Sequence, residues 1–494
     1  MTRHVAALML AILAAGCMVG PTYKQPPIAG TPAFKEPPPA GWKEAEPNEG
    51  ILRGRWWEIY NDPHLNDLVS KVELSNQNVI AAMAQYREAV DQVQIARAAL
   101  FPTVTASPSV LVTRGSSLSS RGQLISGSSG SSSTTTTTTG TSGRSGSGVN
   151  VNYAMPFDIS YQADVWGNIR RSVRGSEDQA QASAADLENA KLTFQAQLAQ
   201  IYFQLHGLDA DADLLRRNVA IFEQSLQLTE ARFNAGVASG ADVAQARTQL
   251  ETTRAQLVEV GVGRAQFEHA IAVLIGETPA TVSIPEEIVN RPPPQIPLGL
   301  PSTLVERRPD VAATERAIAA ANEQIGISKA AFFPMLELSG AGGFVSTTLS
   351  KLFTIPSLFW SVGPQLAATL FDGGLRKGQL NLSKDAYDAS VATYRQTVLT
   401  AFQQVEDQLS SLRILEQEQS VQAAARMAAQ DAVDIANAQY QAGTADYLAV
   451  IVLQATLLQA ERLEIDILTR RLVASVLLIE ALGGGWDTSQ LPVF

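Results

Sequence analysis

The chain is written twice. Ala98-Ala99-Leu100-Phe101-Pro102 returns 232 residues later as Ala330-Ala331-Phe332-Phe333-Pro334, and the residues leading in, Asn78 to Arg97 and Asp310 to Lys329, keep that offset without a gap. Further on, Phe233-Asn234-Ala235-Gly236 returns as Tyr440-Gln441-Ala442-Gly443 at an offset of 207. The offset falls by 25 between these points, so the first copy carries extra residues. They are visible as Ser116 to Gly148, almost all Ser, Gly and Thr. Such a run cannot bury a core and reads as a flexible loop. A repeat this long is a duplicated module and not a solenoid unit. The implied division is a leader over 1–16, an extended segment over 17–61, a first repeat over 62–282, a Pro-rich linker over 283–301, a second repeat over 302–482 and a terminal segment over 483–494.

Each copy has one element order: helix, strand, loop, strand, long helix, tight turn, helix. The strand candidates are Thr103 to Thr113, Val149 to Val165, Met335 to Thr347 and Leu358 to Leu370. Each is about as long as a tilted membrane-spanning strand. In the first, Val104, Ala106, Pro108 and Val110 alternate with Thr103, Thr105, Ser107 and Ser109; in the fourth, Phe359, Ser361, Gly363 and Gln365 alternate with Trp360 and Val362 before the pattern breaks. On these segments alone, strands of a soluble sheet remain open. Four strands cannot close a membrane barrel, because the smallest have about eight. Unpaired edges in lipid leave backbone groups unsatisfied. A barrel therefore requires several chains.

The helices are long. No Pro occurs from Ile169 to Ala235 or from Leu375 to Ala442, which at 1.5 Å per residue is roughly 100 Å each. Phe194, Leu198, Ile201, Leu205, Leu208, Ala212 and Leu215 step by fours and threes, and the second copy repeats the rhythm from Tyr387 to Leu412 with one stutter. Gly236 and Gly443 end these helices and a second helix returns from each. Narrow apolar seams with Ala and Gln between them suit laterally packed coiled coils.

Composition removes several functions. Lys+Arg is 37 against Asp+Glu 48, a net charge of −11, with no basic block, so nucleic acid is a poor partner. One Cys and four His leave little for a metal, and no cofactor other than a covalent lipid is expected. Mean hydropathy is +0.02, and no run reaches the roughly 20 apolar residues of a spanning helix. Gly373-Gly374-Leu375-Arg376-Lys377-Gly378 has phosphate-loop spacing, but Gln379 stands where the phosphate-binding Lys belongs; Gly261-Val262-Gly263 lacks the third glycine of a dinucleotide loop. His64, His206 and His269 read as surface or interface residues, and Asp209, Asp211 and Asp213 as a solvated polar stretch. Nothing in the chain demands an enzyme.

At the start, Arg3 and His4 precede an apolar run, Val5 to Ala15, of signal-peptide length. Leu13-Ala14-Ala15-Gly16-Cys17 looks like a bacterial lipobox, in which cleavage before Cys17 frees its thiol and amine for acylation. A plain signal peptide followed by an incidental Cys is the alternative.

These features together resemble the TolC-like outer-membrane factors of Gram-negative envelopes, specifically the lipidated subgroup that serves resistance–nodulation–division pumps. The resemblance covers essentially the whole mature chain. It rests on the lipobox with Val19-Gly20-Pro21-Thr22-Tyr23, on Trp56-Trp57, Leu370-Phe371-Asp372-Gly373-Gly374, Tyr440-Gln441-Ala442-Gly443-Thr444 and Ala481-Leu482-Gly483-Gly484-Gly485-Trp486, and on the duplication. It implies a mixed α and β fold: a homotrimer whose chains each give four strands to one twelve-stranded outer-membrane barrel, continuous with a periplasmic α-helical barrel and belted by the Pro-rich segments. It also implies a passive exit duct, a periplasmic adaptor protein, an inner-membrane pump and contact with outer-membrane lipid. A type I secretion duct is the alternative within the family; a periplasmic coiled-coil scaffold lipoprotein is the alternative outside it.

The resemblance assigns residues as well. The turns Gly236–Gly240 and Gly443–Asp446 become the periplasmic tip, with Gly236, Gly240, Gly443 and Thr444 facing the adaptor. Asp242 and Tyr440 stand where TolC has a linked Asp and Tyr. Ala445 stands in place of its Arg, and Ala449 and Val452 in place of its two pore-facing acidic residues. The expected closure is therefore apolar, from Leu448 and Val452 in three copies, with Asp242–Tyr440 as a polar link and Asp446 as an alternative ring.

Overall fold

The structure is a computed structural model and describes residues 18–27, 34–37, 54–114, 149–296 and 307–494. Cys17, the leader and the Ser/Gly/Thr loop lie outside the described residues, as does part of the Pro-rich linker. Backbone contacts divide the chain into two units, one around a sheet and one helical.

The sheet unit contains β1 (Thr103–Ala106), β2 (Ser109–Arg114), β3 (Val149–Ala163), β4 (Met335–Ser346) and β5 (Leu358–Ala367). All pairings are antiparallel: β1 and β2 both pair with β3, β3 pairs with β4, and β4 with β5. The first expected strand is thus two segments. Ala106 faces Phe157 and Ser109 faces Ala154, so the register runs on unbroken through the gap. The cause of the gap is local: Pro108 opposes the stretch containing Pro156, and neither has an N–H for the ladder.

Register sorts the side chains. Val104, Val110 and Val112 share a face with Val151, Tyr153, Met155, Phe157, Ile159 and Tyr161. Across β4 and β5 that face continues as Leu336, Leu338, Phe344, Leu358, Trp360, Val362, Pro364 and Leu366. The opposite face carries Thr103, Thr105, Asn150, Asn152, Asp158, Ser160, Gln162, Glu337, Ser339, Ser361 and Gln365. The fourth strand therefore keeps its alternation beyond Val362; Pro364 and Leu366 fall on the apolar face. Val104, Val110, Trp360, Val362 and Leu366 are exposed. Among the described residues the sheet is apolar on one side and largely polar on the other, where Leu111, Val345 and Phe359 are the large apolar exceptions, and it exposes side chains on both. β1 with β2 forms one edge and β5 the other.

The helices follow the repeat. They are α1 (Pro63–Ser75), α2 (Gln77–Ala98), α3 (Asn168–Asn234), α4 (Gly240–Leu274), α5 (Pro309–Ala330), α6 (Leu375–Gln441) and α7 (Tyr447–Ala481). Corresponding helices have equal lengths: 22 residues in α2 and α5, 67 in α3 and α6, and 35 in α4 and α7. Phe101-Pro102 and Phe333-Pro334 stop α2 and α5, since proline restricts the preceding residue to extended backbone. Among the described residues no helix is long and apolar enough to cross a membrane.

The helical unit's largest core lies where the C-terminal ends of α4 and α7 and the middles of α3 and α6 meet α1. Trp56, Trp57 and Tyr60, in a short 3-10 turn, pack there with Leu198, Tyr202, Leu205, Val405, Leu409 and Ile479. Asp62 shows how the sequence fixes this region. One carboxylate oxygen caps α1 by accepting from His64 and Leu65 N–H (3.0 and 3.1 Å), and the other accepts the Tyr202 hydroxyl (2.9 Å). The heptad positions expected to be apolar seams are buried at Leu198, Leu205, Leu215, Val398, Val405 and Leu409.

Near the end of α7, Glu480 is half-buried beside Arg308. Burial pushes its carboxyl up to about 7, against the opposing pull of Arg308 and of a hydrogen bond with Thr193. Between the ordinary Glu value and that one, the folded chain holds a proton that the unfolded chain has lost. The associated stability is complete below the unfolded pKa and is lost as pH rises through about 7. Glu480→Gln removes the charge, so the variant is expected to exceed the parent at pH 8 by on the order of 2 kcal/mol and to match it near pH 5. Thermal unfolding at the two pH values checks this; an equal shift at both would show that ionisation of Glu480 is not the cause.

Candidate gate at the two hairpin turns

Both turns close by the same hydrogen bonds. Gly236 N–H donates to Phe233 O and Val237 N–H to Arg232 O; Gly443 N–H donates to Tyr440 O and Thr444 N–H to Gln439 O. These are Schellman closures, which need a left-handed residue after the last helical turn. Gly236 and Gly443 supply it, each with φ of +75°. A β-carbon built on either meets nothing within 4 Å, so in this chain the glycines are required by backbone conformation and not by crowding.

The two return helices start differently. At α4, Ser239 and Asp242 form a reciprocal capping box: Asp242 N–H donates to the Ser239 hydroxyl (3.2 Å) and Ser239 N–H to the Asp242 carboxylate (2.8 Å). Gly240 is the first residue of that helix. At α7 the cap position is Asp446, whose side chain makes no capping bond, and which is exposed together with Thr444.

The structure brings some of the expected gate residues together and separates others. Leu448 and Val452 lie one turn apart on α7, 53% and 55% exposed, and the same face continues through exposed Thr456 and Gln459. Tyr447 and Val450 turn inward and pack with Ala246, Ala436 and Tyr440. Asp242 and Tyr440 are not hydrogen-bonded to each other. The Asp242 carboxylate is held at its own helix start by Ser239, and the buried Tyr440 hydroxyl has no hydrogen-bond partner among the described residues.

What holds Tyr440 is Arg232, a residue that sequence reading passes over. Its guanidinium donates to the Tyr440 carbonyl (3.1 Å) and lies 4.4 Å from the centre of the Tyr440 ring. Two turns back on α3, the Ser225 hydroxyl bonds the Tyr447 hydroxyl at 2.7 Å, and the rings of Tyr440 and Tyr447 are 5.2 Å apart. A cation in the last turn of α3 reads first as serving that helix's own carbonyls. The second copy has Gln439 at the matching position, so the repeat gives no hint of the contact.

The three aspartates further along α3 also differ from expectation. Asp209 is 2% exposed, bonded to His206 Nδ1 (2.9 Å) and Arg264 Nε (2.7 Å). Burial opposes its ionisation, yet those partners and the Glu287 N–H hold it below the usual carboxylate range. Asp211 takes both ends of the Arg462 guanidinium at 2.8 Å. Only Asp213 keeps the solvated role expected of all three, pairing with Arg217 one turn on. His206 is buried, while His64 and His269 are exposed. Arg264, Glu287 and Arg462 come from segments distant in sequence, so a run of Asp on one helix could not reveal them.

Comparison with known proteins fits this arrangement. The family model described as outer membrane efflux protein matches residues 68–277 and 300–484. The toluene efflux pump outer membrane protein TtgC of Pseudomonas putida is 29% identical over 98% of this chain and 96% of its own. The pyoverdine export outer membrane protein OpmQ of Pseudomonas aeruginosa is 31% identical over 88% of each. Among solved structures, the outer-membrane channel OprN superposes with a TM-score of 0.84 at 27% identity, over 95% of this chain and all of that one. With both halves matched by one family model, and with full-length relatives and a solved channel alike in sequence and fold, the chain belongs to the outer membrane efflux protein family.

Proposed function

We propose that this chain is the passive exit duct of a tripartite efflux system, working as a homotrimer with a periplasmic adaptor and an inner-membrane pump of the resistance–nodulation–division type. The carrying observation is the sheet. It is apolar on one face, largely polar on the other, and unpaired at both edges. Such a sheet suits lipid outside and water inside, and three copies joined edge to edge leave no open ladder in the membrane. Exposed Ile414, Val421 and Ile435 on α6, spaced in multiples of seven, give the helices a matching apolar seam for neighbouring copies.

Names of relatives support small-molecule cargo: toluene for one, pyoverdine for another. Cargo choice belongs to the pump on this reading, since nothing in the duct need change chemically. Acylation of Cys17 adds a lipid anchor beside the barrel. The turns at Gly236, Gly240, Gly443 and Thr444 face the adaptor, and Leu448 with Val452 narrows the pore just inside them.

Purified protein in a planar bilayer tests the reading. A heat-sensitive trimer with small, stepwise conductance is expected, and palmitate label that disappears in Cys17→Ala. A monomer without conductance would leave a coiled-coil scaffold in place of a duct.

A further inference from the structure

We propose that Arg232 and Ser225 on the first long helix clamp the second hairpin and thereby hold Leu448 in the closed position; Arg232 is a positioning residue of the gate. The inference rests on the duct reading above and names a part of it that the expected polar link did not.

Ser225 and Arg232 are seven residues apart and lie along one face of α3. They grip the second hairpin on both sides of its turn. Tyr440 precedes Gly443 by three residues and Tyr447 follows it by four, and each tyrosine is bonded to α3 through a different residue. Leu448 is the next residue after Tyr447, so the gate side chain is tethered through its immediate neighbour.

Arg232 also joins the two turns. Its own carbonyl accepts from Val237 N–H to close the first turn, while its guanidinium shares the Tyr440 carbonyl with Gly443 N–H, which closes the second. Among the described residues it forms no ion pair. Its charge is spent on a carbonyl at a helix C-terminus and on an aromatic face, both of which favour a cation. The second hairpin cannot swing away from α3 without losing these contacts together. A device of this kind gives two discrete positions of the hairpin and no continuum between them.

The test is single-channel conductance of the full-length trimer for the parent, Arg232→Ala, Tyr447→Phe, Leu448→Ser and the Arg232→Ala/Leu448→Ser double variant. Arg232→Ala is expected to raise the conductance several-fold, Tyr447→Phe less. The double variant should exceed Leu448→Ser by under twofold, because a clamp that acts through Leu448 has nothing left to position. Arg232→Lys keeps a cationic donor and should restore most of the closure; if Arg232→Ala fails to assemble, Tyr447→Phe is the test, and parental conductance in it beside an increase in Leu448→Ser overturns the clamp. Increased conductance in Leu448→Ser with parental conductance in both Arg232 variants overturns the clamp and leaves the duct standing. Independent, multiplicative effects in the double variant overturn the route through Leu448. Silence in every assembled variant overturns the duct reading, and the clamp with it.

Discussion

Leu448→Ser is expected to raise the single-channel conductance of the purified trimer several-fold without altering its assembly. Leu448 is half-exposed on a helix whose adjacent faces are packed, so a polar replacement costs the single chain little. On the proposed duct reading, three copies around an axis bring these side chains face to face. Apolar constrictions close by excluding water as much as by filling space, and a buried Leu contributes roughly 1.5–3 kcal/mol relative to an exposed one. Serine forfeits most of that, three times over. Val452, one turn further in, gives a second and weaker ring, so Val452→Ser should show a smaller increase.

The chemistry of this closure makes a second demand on the same recordings. Ala449 and Val452 stand where acidic rings stand in TolC, and no carboxylate shares the exposed face of Leu448 and Val452 as far as Gln459. Trivalent cations should therefore block only weakly. Strong micromolar block would transfer the closure to Asp446, which is exposed and free of capping duty.

How far the sequence reveals this protein depends on the range of each interaction. The duplication and the absence of proline gave both 67-residue helices to within one or two residues, because helix ends are set by neighbours in sequence. Two-residue alternation gave the faces of the first strand and of the fourth as far as Val362; beyond it Pro364 and Gly363 blur a pattern that the register keeps. The interruption at Ser107 and Pro108 was hidden, since it depends on Pro156 across the ladder. The polar network of α3 is not legible in its own sequence, because Arg264 and Arg462 approach from other helices. At the gate, Leu448 and Val452 follow only from the resemblance to TolC-like proteins; no local pattern singles them out. The partner of Tyr440 was not legible either: Asp242 had a nearer claim from Ser239, three residues away, and a local capping bond forms at less entropic cost than a link between helices.

The largest effect on assembly should come from the membrane face of the sheet, where two neighbouring residues make a controlled pair. Val362 is 80% exposed at the middle of β5 and pairs with Gly340 on the apolar face. Ser361, one residue earlier, points to the opposite face and pairs with Ala341. Lysine at Val362 places an ammonium against hydrocarbon near the bilayer centre, at about 2–4 kcal/mol per copy. The barrel on this reading contains three copies, so the total rivals the whole stability of an ordinary domain. Lysine at Ser361 projects into a water-filled lumen, where its charge stays hydrated. Val362→Lys is therefore expected to abolish the heat-sensitive trimer in outer-membrane fractions, and Ser361→Lys to leave it intact while shifting the channel toward anions. Equal tolerance of both lysines would mean that the apolar face does not meet lipid. Loss with Ser361→Lys alone would reverse the two faces and turn the barrel inside out.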